Sequence, residues 1–359
     1  MVPIIEFALG IAVLVYSAEK LIGYLVGVAS RWAISLFLVA VVFTGIEFDD
    51  LAFGIVLNVE DLSEVALGTV IGTTVALTGL VLALAALIAP CRVDVPKDYL
   101  GLFVAGPVVV YALALTGALT VAAGLVLLVL FVAFVGWIGF REYTSRRPVW
   151  RHAELYEQID HVTVGRGATG TGVGRTPPDG GSGRFDLPPD LRVDQGFLRA
   201  RQHTPGVTVA LAVLALAGLI AGALVAGQGT DGILREFALS GTVFGVTIAT
   251  LALSLEDIFL TVEPQRRGAP EIAVANIVGS VVFSVTGKLG IILLVGGAIV
   301  VTPDVVGWHL PALVLMTATA AGFLATGRVR RWHGIVLLAL YAAYFVVSLV
   351  AFGAVPVDG

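Results

Sequence analysis

The chain has 359 residues, of which 58% are hydrophobic and 13% are charged, with a formal net charge of −5. Its mean hydropathy of +0.98 excludes an ordinary soluble globular domain and is typical of an integral membrane protein. Because Cys91 is the only cysteine, an intrachain disulfide is also excluded.

Ten apolar stretches, each long enough to cross a bilayer as a helix of about 20 residues, follow one another along the chain. They lie at 4–29, 34–57, 64–90, 99–117, 120–140, 206–226, 237–262, 270–301, 307–327 and 332–353. The first carries Glu6 and no basic segment precedes it, so it predicts a spanning helix and not a removed signal peptide. The expected fold is an all-α integral membrane protein with ten transmembrane helices.

Residues 141–204 interrupt this apolar pattern. They contain ten arginines and a glycine- and proline-rich centre at 165–183. Such a segment has too little apolar surface to form a core of its own, and it lacks the preceding strand and the Gly-Lys-Ser/Thr of a phosphate-binding loop. It is predicted to be a flexible cytoplasmic linker between a first five-helix half, 1–140, and a second, 205–359.

The basic residues predict the orientation, because Lys and Arg near helix ends are retained on the cytoplasmic side. With both termini outside, the inner loops hold 18 of the 21 basic residues, and Arg235 alone lies in an outer loop. Five helices per half make the two halves antiparallel, which is the inverted repeat common in secondary transporters. The use of 18 Arg against 3 Lys favours a prokaryotic plasma membrane.

Two acidic clusters inside apolar stretches carry the strongest functional signal. Gly45-Ile-Glu-Phe-Asp-Asp50 and Ala252-Leu-Ser-Leu-Glu-Asp257 come into register when the sequence is shifted by 207 residues, within duplicated segments at about 34–90 and 237–301. The same shift aligns Gly72 with Gly279. A charged side chain at the bilayer centre costs roughly 2.5–3.5 kcal/mol, so carboxylates duplicated at one depth indicate an ion path.

The side chains of these clusters indicate which ions could be bound. Carboxylates and hydroxyls without Cys or His form an all-oxygen environment that suits hard cations such as Ca²⁺, Na⁺, Mg²⁺ or Mn²⁺. On an ideal helix Glu47 and Asp50 lie about 60° apart and share a face, whereas Asp49 lies roughly 160° from Glu47. Asp49 and, by symmetry, Glu256 are weaker candidates. Clustered carboxylates can also hold a proton, so proton coupling competes with sodium coupling.

Lys288, Glu19 and Lys20 are further charged residues within the predicted spans. Lys288 follows Ser284 by four residues on one predicted helix face. It can neutralise a carboxylate, or compete with an incoming cation and drive its release. The alternative is that it extends to the outer interface or forms a structural ion pair. Glu19 and Lys20 can pair locally.

The sequence also resembles a known family. Residues 18–35 are similar to the first-helix segment of the cation/Ca²⁺ exchanger superfamily, which includes the sodium/calcium exchangers. The two clusters resemble its α-repeats, G-T-S-x-P-E followed by G-N-x-x-G-S-N-x-x and Asn or Asp, at 45–50 with 68–77 and at 252–257 with 275–284. The resemblance implies ten helices, with ion sites at the bilayer midplane where the second, third, seventh and eighth helices meet.

The resemblance also assigns roles residue by residue. It places the central family glutamates at Asp50 and Asp257, and the family proline at Asp49 and Glu256, so local unwinding is not required there. Leu77 takes the place of the later Asn or Asp in the first repeat. The implied ion ligands are Asp50, Asp257, Glu47, Ser254, Glu256, Asp49, Thr73, Ser280 and Ser284, with Asn276 keeping the family amide.

These observations predict a secondary active antiporter, not an enzyme, that exchanges Ca²⁺ or a similar hard cation for Na⁺ or H⁺ by alternating access. Inorganic cations and the lipid bilayer are the expected partners, with no cofactor and no nucleic acid. The alternative is a non-transporting, exchanger-like cation sensor or scaffold, because both prolines and the paired threonines of the family are replaced. An intramembrane aspartyl protease would need a Gly-x-Gly-Asp signature, which the sequence lacks.

Overall fold

A computed structural model describes residues 1–29, 47–144, 205–266 and 270–352. The described residues form ten helical segments. They are α1 (Val2–Ala29), α2 (Phe48–Val59), α3 (Ser63–Ile88), α4 (Lys97–Ala114), α5 (Val121–Thr144), α6 (Pro205–Phe237), α7 (Gly241–Arg266), α8 (270–296), α9 (Val305–Ala325) and α10 (Arg331–Phe352). The predicted all-α architecture is confirmed.

Eight of these helices are long and apolar enough to cross a membrane. The apolar part of α5 is shorter, at Val121–Trp137, and the predicted first part of the second span, 34–46, lies outside the described residues. The helix α5 continues to Thr144, past the predicted end at 140, and the remaining linker residues, 145–204, also lie outside the described part.

Two of the helix ends that differ from the prediction have a structural cause that can be named. α6 continues to Phe237 instead of ending at 226, because its glycine-containing end packs against the start of α1: a Cβ at Gly232 would lie 2.7 Å from Pro3. α8 ends at Gly296 instead of 301. The next residue, Gly297, has a φ of 91°, a left-handed conformation that glycine adopts at little cost and that ends the helix.

The antiparallel relation of the halves is visible where α1 packs against its counterpart α6. A Cβ at Gly10 would lie 2.3 Å from the Ala226 backbone nitrogen, and one at Gly229 would lie 2.3 Å from the Phe7 nitrogen. The first contact joins a later residue of α1 to an earlier residue of α6, so the two helices run in opposite directions. Small residues allow such close backbone contact in membranes.

Four two-residue strands in the loops repeat this symmetry. β1 (Cys91–Arg92) pairs with β4 (Arg328–Val329), and β2 (Ala118–Leu119) pairs with β3 (Ile299–Val300), both antiparallel. The loop after α3 therefore meets the loop after α9, and the loop after α4 meets the loop after α8. These are equivalent pairs under exchange of the halves. The described part of the chain thus has the predicted inverted repeat.

The third helix of each half forms the interior. The membrane-spanning window of α3 is 78% buried and that of α8 is 83% buried, compared with 33% for α1 and 22% for α10. Both central helices contain a π-helical segment at an equivalent position, Leu77–Val81 and Phe283–Lys288. π-helical turns are frequent at functional sites, and both acidic clusters lie on helices that pack against α3 or α8.

Candidate functional site

The site is held together by a close crossing of α3 and α7. A Cβ at Gly72 would lie 2.0 Å from the Thr250 hydroxyl oxygen, and one at Gly68 would lie 2.6 Å from the Thr242 carbonyl oxygen. At both points the glycine leaves no room for a side chain of α3, so the backbone of α3 lies directly against α7. The crossing therefore brings the second acidic cluster, on α7, against the central helix of the first half.

The first acidic cluster lies at the start of α2. Glu47 precedes the helix, with φ of −76° and ψ of 85°, while Asp49 and Asp50 lie in its first turn. The expectation that Glu47 lies on an ideal helix is therefore wrong. Glu47 and Asp50 nevertheless meet at one point, because both contact Lys288. Carboxylates in a first helical turn are also stabilised by the positive end of the helix dipole.

Lys288 is the centre of a buried hydrogen-bond network. Its Nζ donates to Asp50 Oδ2 at 2.6 Å, to Glu47 Oε2 at 2.8 Å and to Thr73 Oγ1 at 3.2 Å. Ser284 Oγ also donates to Glu47 Oε2, at 2.9 Å. Only 1% of the lysine is exposed, so the alternative that it extends to the interface is wrong. Lys288 joins the halves by neutralising first-repeat carboxylates, as one alternative predicted.

The second acidic cluster has no such partner. Asp257 is buried, and among the described residues no basic side chain lies within ion-pair distance of it. Ser254 and Ser280 are also buried, and their hydroxyl oxygens have no hydrogen-bond partner there; the same is true of Asn276 Nδ2. Buried polar atoms are normally paired. Buried hydroxyl oxygens without partners, on the helices α7 and α8 that also carry or contact the second cluster, are chemically suited to a hard cation.

Asp49 and Glu256, the replacements for the family prolines, lie near the same point without joining the lysine network. Asp49 is buried and Glu256 is partly buried, and each lies close enough to the other carboxylates to repel them electrostatically. In the described regions, no three His, Cys, Asp or Glu side chains are grouped closely enough to hold a metal ion. Lys288 lies between the carboxylates of Glu47 and Asp50 and contacts both.

The helix of the second cluster is continuous from residue 250 to 266. The Ser254-Leu-Glu-Asp257 stretch is therefore not unwound, as the replacement of the family proline by Glu256 predicted. A π-helical segment, Gly245–Ala249, directly precedes it. In the first half the equivalent residues lie outside the described part of the chain, so the two halves are compared from Glu47 onward.

Two carboxamide side chains, which were not predicted from the sequence, make hydrogen bonds at the edges of this region. Asn58 Nδ2 donates to the carbonyl oxygens of Ile292 and Gly297, both at 3.2 Å. Gln265 Nε2 donates to Ala85 O at 3.0 Å and to Ala89 O at 2.5 Å. The 207-residue offset relates Asn58 to Gln265 and Ala85 to Ile292, so these are equivalent contacts. We call them the carboxamide clamps; the matching amides in the register were the signal that could have found them.

The fold is that of an integral membrane protein built from two inverted repeats around a buried, oxygen-rich site, an architecture common among secondary transporters. The family model described as "Sodium/calcium exchanger protein" matches residues 2–140 and 207–350. The chain belongs to this family. The match omits the segment between the halves and covers both acidic clusters, so it agrees with the resemblance found in the sequence.

Individual relatives are distant. The sodium/calcium exchanger MaX1 of Methanosarcina acetivorans is 23% identical over 323 residues, which cover 89% of each chain. The putative antiporter CaxA of Alkalimonas amylolytica is 27% identical over 138 residues, covering 37% of this chain and 42% of the other. A solved structure of the sodium-calcium exchanger NCX_Mj, soaked with Na⁺ and Sr²⁺, is similar with a TM-score of 0.56 at 18% identity, covering 96% of this chain and 97% of that one. This last likeness supports the fold.

Proposed function

We propose that this protein is a secondary active antiporter that exchanges Ca²⁺, or a similar hard cation, for Na⁺ or H⁺ by alternating access. The observation that carries the proposal is the buried Asp257, which has no basic side chain within ion-pair distance in the described part of the chain, together with the unpartnered hydroxyls of Ser254 and Ser280 in the interior of an exchanger-family fold. A carboxylate there needs a proton or a cation, because an isolated buried charge is very unfavourable.

The proposed roles of the side chains follow from their contacts. Asp257, Ser254 and Ser280 supply oxygen ligands to the transported cation. Asp50, Glu47 and Thr73 are held by Lys288, and Ser284 donates to Glu47; we assign these four residues to the opposite side of the site. Asp49 and Glu256 add negative charge nearby, which attracts cations and repels anions.

We further propose that both termini lie outside and that 141–204 lies in the cytoplasm, in a prokaryotic plasma membrane. The strand pairs agree with this topology, because each joins two loops that it places on one side of the membrane. The basic residues, which lie mostly in the loops placed inside, favour this orientation over its reverse. The relatives include a sodium/calcium exchanger and a putative antiporter, and a transport experiment with separate Na⁺ and pH gradients distinguishes the two proposed coupling ions.

The test is Ca²⁺ uptake by the purified full-length protein in liposomes, under an imposed Na⁺ gradient and, separately, under a pH gradient. We expect uptake under one gradient in the wild type. Asp257→Asn keeps the side-chain size but removes the charge that balances the cation, so we expect uptake to fall at least tenfold.

The matched control is Asp94→Asn, since Asp94 is an exposed carboxylate in the loop between α3 and α4 and should retain wild-type uptake. Uptake by Asp257→Asn at the wild-type rate would contradict the assigned role. Absence of uptake under either gradient, by protein that elutes as a single folded species, would contradict the antiporter itself.

A non-transporting cation sensor or scaffold is the second candidate, and Lys288 favours it. Its ion pairs with Glu47 and Asp50 join the two halves directly, as expected of a core that is fixed in one conformation. Measurable Ca²⁺ binding without flux under any gradient would support this candidate; flux under either gradient would exclude it.

A further inference from the structure

The surroundings of Lys288 are those of a bound cation. An ammonium group has three N–H donors, and here they reach three oxygens, those of Asp50, Glu47 and Thr73, at 2.6–3.2 Å. All three oxygens belong to the first repeat, whereas Lys288 belongs to the second. The first repeat therefore supplies an oxygen cage, and the charge inside it is attached to the opposite half.

The internal repeat shows that this arrangement exists on one side only. The 207-residue offset relates Lys288 to Val81, which is fully buried and ends the equivalent π-helical segment. Valine has no donor. Asp257, the counterpart of Asp50, has no basic side chain within ion-pair distance among the described residues, and the Ser280 hydroxyl, the counterpart of Thr73, has no partner there. A charged donor of the chain therefore contacts the oxygens of one half, and none of the described residues supplies one to their counterparts.

We propose that Lys288 is a tethered cation that permanently fills one of two pseudo-symmetric cation subsites. The filled subsite consists of Glu47, Asp50 and Thr73. The other, at Asp257, Ser254 and Ser280, takes one dissociable hard cation. The location of this second subsite rests on the proposed function, whereas the filled subsite rests on the contacts of Lys288 alone.

The lysine is difficult to displace for three reasons. Its attachment to α8 keeps its effective concentration high, each of its donors is used, and two of its partners are buried carboxylates that would be left unpaired. Ser284 adds a hydrogen bond to Glu47 from the same helix. Removal of the ammonium leaves two buried carboxylates and a hydroxyl, which are suitable ligands for a free monovalent cation such as Na⁺.

The test counts the cations bound by the full-length protein in detergent, by equilibrium dialysis with ²²Na⁺ and, separately, ⁴⁵Ca²⁺. We expect the wild type to bind one cation per protein, whichever of the two ions it is, and Asp257→Asn to bind none. Lys288→Met should bind one additional Na⁺, which doubles the number of sites, and Lys288→Met/Asp257→Asn should retain that additional ion. Lys20→Met is the matched control, because Lys20 is also a helix lysine paired with a carboxylate, Glu19, at 3.1 Å; its count should equal that of the wild type.

A wild-type count other than one, or a folded Lys288→Met protein without an additional Na⁺ site, would overturn the proposal. If Lys288→Met does not fold, Lys288→Gln/Asp50→Asn removes one charge of each sign and leaves Glu47 and Thr73 as ligands. Two sites in that variant would support the proposal and one would overturn it. The flux assay is separate: counts of one and two without any flux would contradict the antiporter alone, and flux with unchanged counts would contradict the tethered cation alone.

Discussion

The carboxamide clamps show how single side chains replace backbone partners at helix ends. The last carbonyl groups of a helix have no partner within it. Gln265 supplies one at the end of α3, where Pro90 follows shortly, and Asn58 does the same at the end of α8. The close contact requires glycine on one side, since a Cβ at Gly296 would lie 2.4 Å from Asn58 Nδ2.

Loss of either clamp should therefore destabilise the protein. We expect Gln265→Ala and Asn58→Ala each to cost about 0.5–1.5 kcal/mol, the usual net contribution of a hydrogen bond, because each removes an amide donor from carbonyl oxygens at a helix end while Ala85 O still accepts from Ala89 N at 2.9 Å. Thermal unfolding in detergent measures this effect. Thr319→Ala is the control, since that exposed hydroxyl only adds a local bond to Leu315 O at 2.7 Å. Equal melting temperatures for all four proteins would show that the clamps contribute nothing to stability.

Glu60, in the loop after α2, provides a pH-dependent test. Partial burial, and then the nearby negative charge of Asp231, raise the pKa of Glu60 from its ordinary value of 4.5. A carboxyl group whose pKa is raised by folding contributes stability below pH 4.5, and this contribution is lost as the pH rises through the folded-state pKa.

Glu60→Gln should consequently melt at a higher temperature than the wild type at pH 7, and the difference should decrease to zero at about pH 4. Melting curves of both proteins between pH 4 and pH 8 provide the comparison. A difference that is the same at every pH would mean that packing, and not the charge of Glu60, is responsible.

At the scale of the element, the crossing of α3 and α7 depends on glycine. Gly72→Ala would place a methyl group against the backbone of Val246, where the Cβ position is 2.7 Å from the α-carbon. We expect it to cost about 1–3 kcal/mol, the usual range for overpacking, and to lower the melting temperature. Gly101→Ala on α4 is the matched control, because no atom lies within 4 Å of its Cβ position. A stable Gly72→Ala protein would mean that the helices can separate without cost.

The helices themselves could be predicted well from the sequence, because apolar length determines a membrane span. The residues at which the helices end were harder to predict. Residues 227–237 are polar enough to resemble a loop, and they are helical because α1 packs against their glycines. Glu47 shows the same limit, since the cluster pattern does not reveal that the helix begins at Phe48.

At the scale of the whole molecule, the duplication could be predicted from the sequence. The two repeats keep a constant offset of 207 residues and the same acidic composition although they have diverged. Asp50, Asp257 and Lys288 could be selected as unusual charges in apolar stretches. Which carboxylates Lys288 contacts could not be predicted, because its partners lie in the other half of the chain and depend on how the halves interlock. The distance between residues that are far apart in the sequence depends on tertiary packing. A pattern of residue types along the chain does not contain that information.

The unequal pair of Lys288 and Val81 has a consequence for the direction of transport. In an inverted repeat, exchanging the conformations of the halves converts an outward-facing protein into an inward-facing one. Identical halves would give the two orientations equal free energy. In the antiporter proposed above, only one half carries the lysine, so the inward- and outward-facing states differ in free energy and the protein has a preferred resting side.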